Sequence, residues 1–143
     1  MKLQWIHEEP AQWDADKQRL IGDAAEGIFA MAPQSPGELV AGEWWRVEAD
    51  GKTVGFGWLD TVWGDAEVLL AVDPESRRGG VGSFIMEQLA LEAHGRQLNY
   101  LYNVVRPTHP DRESLRNWLI QRGFKPSSED DQTLRRLVAH SDR

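Results

Sequence analysis

The stretch Leu70-Ala71-Val72-Asp73-Pro74-Glu75-Ser76-Arg77-Arg78-Gly79-Gly80-Val81-Gly82-Ser83 decides the reading of this chain. It starts inside an apolar run, Ala66–Val72, that reads as a strand buried on both faces. It ends where Val81, Phe84, Ile85 and Leu89 recur at helical spacing, which predicts a helix over Val81–His94 with Gly95 placed to stop it. Between the two lies a glycine-rich turn. Backbone N–H groups at a helix start have no intrahelical partners, and the helix dipole adds partial positive charge there. Glycines remove the Cβ atoms that would keep a phosphate from those groups, so the turn suits a pyrophosphate. A plain tight turn between strand and helix is the other reading. The spelling is neither G-x-G-x-x-G with an acidic residue about 20 positions on, nor G-K-[ST], so dinucleotide and P-loop sites are both excluded.

Working outward from the turn, a meander precedes it. Glu43–Ala49 leads into the hairpin turn Asp50-Gly51, and Thr53–Val62 reads as the partner strand. Gly55 and Gly57 within that partner mark a bulge or a close backbone approach. Trp63-Gly64-Asp65 makes the next turn. After the helix, Leu98–Val105 is a strand rich in aromatic and β-branched residues. Strand, helix and strand with short connections imply a parallel pair joined by a right-handed crossover. A helix fits Asp111–Arg122, followed by Gly123-Phe124 and short strands near Phe124–Pro126 and Thr133–Ala139. At the other end, Lys2–His7 is a plausible strand. Asp14 is a good N-cap for a helix whose Leu20, Ile21, Ala24, Ile28 and Phe29 share a face. Pro33 and Ser35-Pro36-Gly37 stop it, and a short helix near Pro36–Val40 is possible. The fold class is a mixed α/β sheet in one domain over residues 1–143, a length typical of single domains.

The leading motif, Leu70 to Gly82, resembles the GNAT N-acetyltransferase signature L-x-V-x-P-x-x-[RQ]-x-x-G-x-G without a gap. Gly51–Gly57 is similar to that family's preceding hairpin, and Arg122-Gly123-Phe124 arrives at the expected spacing; together the resemblance covers residues 43–126. It implies the GNAT fold: a mostly antiparallel sheet, flanked by helices, in which the fourth and fifth strands are parallel and splay apart. It implies acetyl-CoA as cofactor and CoA as product. Backbone N–H groups of Arg78, Gly79, Gly80, Val81, Gly82 and Ser83 would hold the pyrophosphate, Arg77 at the signature position would be a phosphate-side residue, and Leu70 and Val72 would pair with the pantetheine. The implied reaction is direct attack by a primary amine on the thioester, which rests on positioning, proton removal and stabilisation of developing charge.

The chain departs from that pattern in two places. The tyrosine that often serves as general acid, four residues before the glycine of Gly-Phe, is Leu119 here, beside Trp118, whose indole N–H is no usable acid. The asparagine often found earlier in that helix is absent, with Glu113 near its place. Tyr100 or Tyr102, or a water, is left to act as acid. Glu67 is the best candidate base, although strand alternation sets it with Leu69 and Ala71, opposite Leu70 and Val72. His109, in the loop Arg106-Pro107-Thr108-His109-Pro110-Asp111, lies at the carboxyl end of a strand, where ligands of open α/β sheets gather. Arg106 is placed to meet an acidic acceptor or a CoA phosphate.

Composition bounds the alternatives. The chain has no cysteines, which excludes disulfides, thiolate metal sites and a cysteine nucleophile, and His7, His94, His109 and His140 show no metal-ligand spacing. A net charge of −7 argues against a nucleic-acid partner and fits a cationic acceptor. No apolar run approaches the roughly 20 residues of a membrane span, and the start lacks a signal peptide, so a cytoplasmic protein is expected. Among the seven tryptophans, Trp44, Trp45, Trp58 and Trp63 are candidates for a pocket, and a Trp44-Trp45 edge is a candidate homodimer surface. A module that binds acetyl-CoA or CoA and regulates a partner protein is the alternative function, supported by Leu119.

Overall fold

The computed structural model describes residues 2–29 and 34–138, without the side chain of Arg78. Seven strands form one sheet in the order β1-β2-β3-β4-β5-β7-β6. They are β1 Leu3–Glu8, β2 Glu43–Ala49, β3 Lys52–Val62, β4 Asp65–Val72, β5 Tyr100–Val104, β6 Lys125–Pro126 and β7 Thr133–Leu137. Every neighbouring pair is antiparallel except β4 and β5, which are parallel. The helices are α1 Ala15–Lys17, α2 Val81–Gly95 and α3 Arg112–Gln121.

The two sheet faces carry different partners. On one, Ala66, Val68 and Leu101 pack against Val81, Ile85, Met86 and Leu89 of α2 and Leu119 of α3. Gly55 and Gly57 let α2 come close: a Cβ on Gly55 would lie 3.1 Å from side-chain carbons of both Val81 and Ile85. The close approach expected at these glycines is therefore present, and β3 also shifts register by one residue beside them, Val47 pairing with Gly55 and Glu48 with Thr53. On the other face, Trp44, Phe56 and Ala71 are covered by Trp13, Leu20 and Ile21 of the N-terminal segment.

The first helix is shorter than its periodicity predicts. Asp14 caps α1 as expected, accepting from Lys17 N at 2.9 Å. The chain then widens into a π-helical turn, Gln18–Gly22, closed by Asp23 N donating to Gln18 O and by Gln18 Nε2 donating to Asp23 Oδ1. Gly27, at φ +93°, takes the backbone out of helical space. Ile28 and Phe29 are thus released from the helical face and turn toward a cleft. Pro33 lies outside the described residues. Near Pro36–Val40 there is a turn and a bridge from Leu39 to Gln12, not a helix. Helix α2 runs through Gly95, and the left-handed residue that follows is Gln97, at φ 57°. The C-terminal strand ends at Leu137; Ala139 lies outside the described residues.

Burial also redraws the tryptophans. Trp44 and Trp45 are both almost fully buried, on opposite faces, so they form no exposed edge. Trp45 stacks on Trp5 at 5.3 Å. Trp63 sits 97% exposed at the β3–β4 hairpin tip and is not part of the cleft between β4 and β5.

Candidate functional site

Strands β4 and β5 pair at only two positions, Ala66 with Leu101 and Glu67 with Tyr102. Beyond Glu67 they part. The side chain of Asn103 stands in the opening, its Nδ2 donating to Val68 O at 2.7 Å, so an amide replaces the next rung of the ladder. Past that prop, the edge of β4 through Leu70 and Val72 has no strand partner on its β5 side. A cleft of about 1290 Å³ occupies the opening, more than the roughly 300–1,000 Å³ usual for one small ligand. It has room for two reactants.

One half of the cleft belongs to the glycine-rich turn. Asp73, nearly fully buried, starts a 3₁₀ turn over Pro74–Gly79 by accepting from Glu75 N at 3.0 Å. Its other oxygen accepts from Arg19 Nη1 at 2.8 Å, and Arg19 Nη2 reaches Thr53 O at 3.2 Å. Hydrogen bonding to the Glu75 amide and to Arg19 holds the Asp73 carboxyl below its ordinary range, against the desolvation that would raise it. Gly80 then adopts φ +76° as the N-cap of α2, and no side chain caps the helix there. The space a Gly80 Cβ would take is open. On the far wall, Arg122 lies 3.8 Å over the Trp118 ring and donates to Ser83 Oγ at 2.6 Å, which ties α3 to the first turn of α2. Trp118 in turn presses on Gly82, where a Cβ would meet its ring at 3.2 Å. Uncapped N–H groups, an open glycine and an unpaired strand edge are the features that a pyrophosphate on an extended, amide-bearing chain requires, so these residues fit acetyl-CoA.

The other half is made of side chains from distant segments. Glu67, with Leu69, faces the N-terminal side of the sheet, as alternation requires, and no irregularity interrupts the β3–β4 register. Burial, and to a lesser degree Asp60 across the strand pair, push the Glu67 carboxyl up; Arg106 pulls it partway back. Tyr102 neighbours Glu67 in the strand register but is not part of the cleft lining, and burial with Glu67 and Asp60 nearby raises its phenol. His109 lines the cleft, half-buried, with Nδ1 accepting from Asp111 N at 2.9 Å, which leaves Nε2 as its free ring nitrogen. The aromatic wall is Trp44, Trp58 and Phe29; both indoles donate to Ala41 O, at 2.9 and 3.0 Å.

The cleft therefore brings together Leu70, Val72, Arg77, Gly80, Gly82, Ser83, Glu67 and His109. Gly79 is exposed in the turn and Val81 points into the core, so each offers backbone only. For Arg78 only the backbone is described. Sequence reasoning missed Asn103, Arg122 and the Ile28-Phe29 wall. Asparagine inside an otherwise aromatic and β-branched strand was the one readable signal among them. Leu119, at the family's tyrosine position, is 1% exposed and packed in the core.

The family model of the acetyltransferase (GNAT) domain matches residues 41–126. The chain belongs to the GNAT acetyltransferase family. No curated protein matches it. Solved GNAT structures share the fold at low identity. N-acetylglutamate synthase from Neisseria gonorrhoeae, complexed with coenzyme A and N-acetyl-glutamate, is 20% identical with a TM-score of 0.73, over 97% of this chain but only 36% of the synthase. PaiA N-acetyltransferase from Thermoplasma acidophilum, in complex with coenzyme A, is 18% identical with a TM-score of 0.58, over 66% of this chain and 59% of that one. Ard1 from Thermoplasma volcanium is 22% identical with a TM-score of 0.57, over 67% of this chain and 70% of that one. Among the described residues no helix is long and apolar enough to cross a membrane.

Proposed function

We propose that this GNAT domain transfers an acetyl group from acetyl-CoA to a primary amine. The observation that carries the reading is the opening between β4 and β5, continuous from the uncapped start of α2 to Glu67. Acetyl-CoA, when bound, supplies the activated thioester. Leu70 and Val72 offer the edge of β4 to its amides, and backbone groups of Arg77 to Ser83 receive the pyrophosphate. Glu67 is the base: its raised carboxyl is matched to taking a proton from an ammonium group. An ammonium acceptor would give one proton to Glu67, which passes it to solvent; the neutral amine would then attack the thioester carbonyl, the C–S bond would break, and the second proton lost by nitrogen would balance the one gained by the CoA thiolate. His109 Nε2 and the Tyr102 hydroxyl are the donors for the departing side, with Tyr102 acting through a bridging water because it is not part of the cleft lining.

A second reading has its own observation. Leu119 fills the acid position with a fully buried side chain, which favours a module that binds acetyl-CoA or CoA and regulates a partner. Calorimetric titration with acetyl-CoA and with CoA, followed by thiol release across an amine panel, separates the two. Acetyl-CoA binding with turnover of an amine supports the transferase. Equal binding of both with no turnover supports the regulator. Binding of neither would overturn both.

A further inference from the structure

Among the described residues Arg106 has no ion-pair partner, yet it lines the cleft and feels the charge of Glu67. Its backbone is positioned by its surroundings, while its side chain is exposed. Val105 continues the β5–β7 pairing by donating to Gln132 O at 2.8 Å, so Arg106 follows Tyr102 and Val104 by strand alternation, on the face of Glu67. The chain then turns, with His109 N donating to Arg106 O at 3.0 Å between Pro107 and Pro110. The N-terminal loop holds this turn from the other side, because Gly27 packs so close to the Thr108 carbonyl that no Cβ would fit. The Arg106 guanidinium and the Glu67 carboxylate thus share one face of the cleft, beside an apolar wall of Ile28, Phe29, Val40, Trp58 and Leu69. Glu38 also lines this half.

Resting on the acetyl-transfer reading, we propose that the acceptor is an α-amino acid with an apolar side chain: Arg106 takes its carboxylate, Glu67 its ammonium, and the Phe29–Trp58 wall its side chain. A guanidinium fork matches a carboxylate in two parallel hydrogen bonds, which a simple amine cannot use. A polyamine would bring a second cation against Arg106, and an acidic side chain would meet Glu38.

The test compares L-leucine and L-phenylalanine with isopentylamine and 2-phenylethylamine, which differ only by the carboxylate, and adds L-glutamate. The readouts are initial rates with acetyl-CoA and calorimetric binding to the CoA complex. The amino acids should exceed their matched amines, and glutamate, in kcat/KM by about 10- to 100-fold. Arg106→Ala should erase that preference by lowering the amino-acid values toward those of the amines, and Arg106→Lys should restore part of it. Amines turned over as well as amino acids would overturn this proposal and leave acetyl transfer standing. Amino acids that bind the CoA complex through Arg106 but never react would do the reverse. Absence of both binding and preference for the amino acids would also overturn it.

Discussion

The two halves of the cleft are built by different means. The half proposed for the cofactor rests mostly on one continuous piece of chain, Leu70 to Ser83, with Trp118 and Arg122 as its far wall, and most of what that piece offers a ligand is backbone: a strand edge, an uncapped helix start and glycines. The acceptor half draws Phe29, Trp44, Trp58, Glu67, Arg106 and His109 from separate segments, and everything it offers is side chain. Backbone recognition tolerates sequence change so long as the turn keeps its shape. Side-chain recognition changes with each substitution. On the proposed reading, substitutions in the acceptor half would change which amine is taken while leaving the cofactor half intact.

The sharpest way to break this division is at Glu67. Glu67→Gln should lower kcat by about 10²- to 10⁴-fold, the usual contribution of a positioned base, with acetyl-CoA affinity within twofold of wild type (about 0.4 kcal/mol). A parallel loss of cofactor binding, seen by calorimetry, would mean the halves are not separable.

The complementary change is Gly82→Val. A Cβ there already meets the Trp118 ring at 3.2 Å, and the added methyl groups have nowhere to go but against α3 or into the cofactor path. Acetyl-CoA affinity should fall about a hundredfold, the scale of a displacement near 1 Å. Amino-acid binding to the protein without cofactor should be unchanged. Retained acetyl-CoA affinity would show that the pyrophosphate does not lie over α2.

A smaller effect is expected where the halves are tied together. Arg19 comes from the N-terminal segment, and Asp73 opens the glycine-rich turn. Asp73→Asn removes a buried charge-assisted hydrogen bond and should cost about 2 kcal/mol in urea unfolding at neutral pH. The folded-state carboxyl lies below its unfolded value, so the contribution is present above the ordinary carboxylate range and fades as pH falls through the folded pKa. Wild type and variant should therefore converge in acid. Curves that stay parallel would assign the loss to packing alone.

How much of this was legible follows from the same contrast. Strands β2, β3, β4 and β5 and helices α2 and α3 were readable within two residues, because turn residues and hydrophobic periods are local signals. The glycine-rich turn was readable because all its parts are neighbours in sequence. The N-terminal helix was overextended: Leu20, Ile21, Ala24, Ile28 and Phe29 keep helical spacing, but the Gln18–Asp23 closure and Gly27 break the backbone before that spacing is used. The acceptor wall was hidden because it depends on Gly27 meeting Thr108, 81 positions away (108 − 27). Trp44 and Trp45 look alike in sequence, and only strand alternation decides that one borders the cleft while the other stacks on Trp5.

The smallest effect is on stability, and it asks whether the acceptor half is held in a costly state. Burial and Asp60 raise the Glu67 carboxyl above its unfolded value, with Arg106 opposing them. The folded protein therefore keeps that proton to higher pH than the unfolded chain does. The contribution of Glu67 to stability is greatest below the ordinary carboxylate range and declines as pH rises through the unfolded pKa to the folded one. Glu67→Gln removes the carboxylate, so it should raise the thermal midpoint at neutral pH and leave it unchanged in acid. In the active protein, the acid limb of kcat/KM should lie above the ordinary carboxylate range. Arg106→Ala, removing the one cation that opposes the shift, should move that limb higher still when assayed with a simple amine. A variant that loses stability at neutral pH would show a carboxylate satisfied by its neighbours, with its proton affinity set by structure and not by the work of a base.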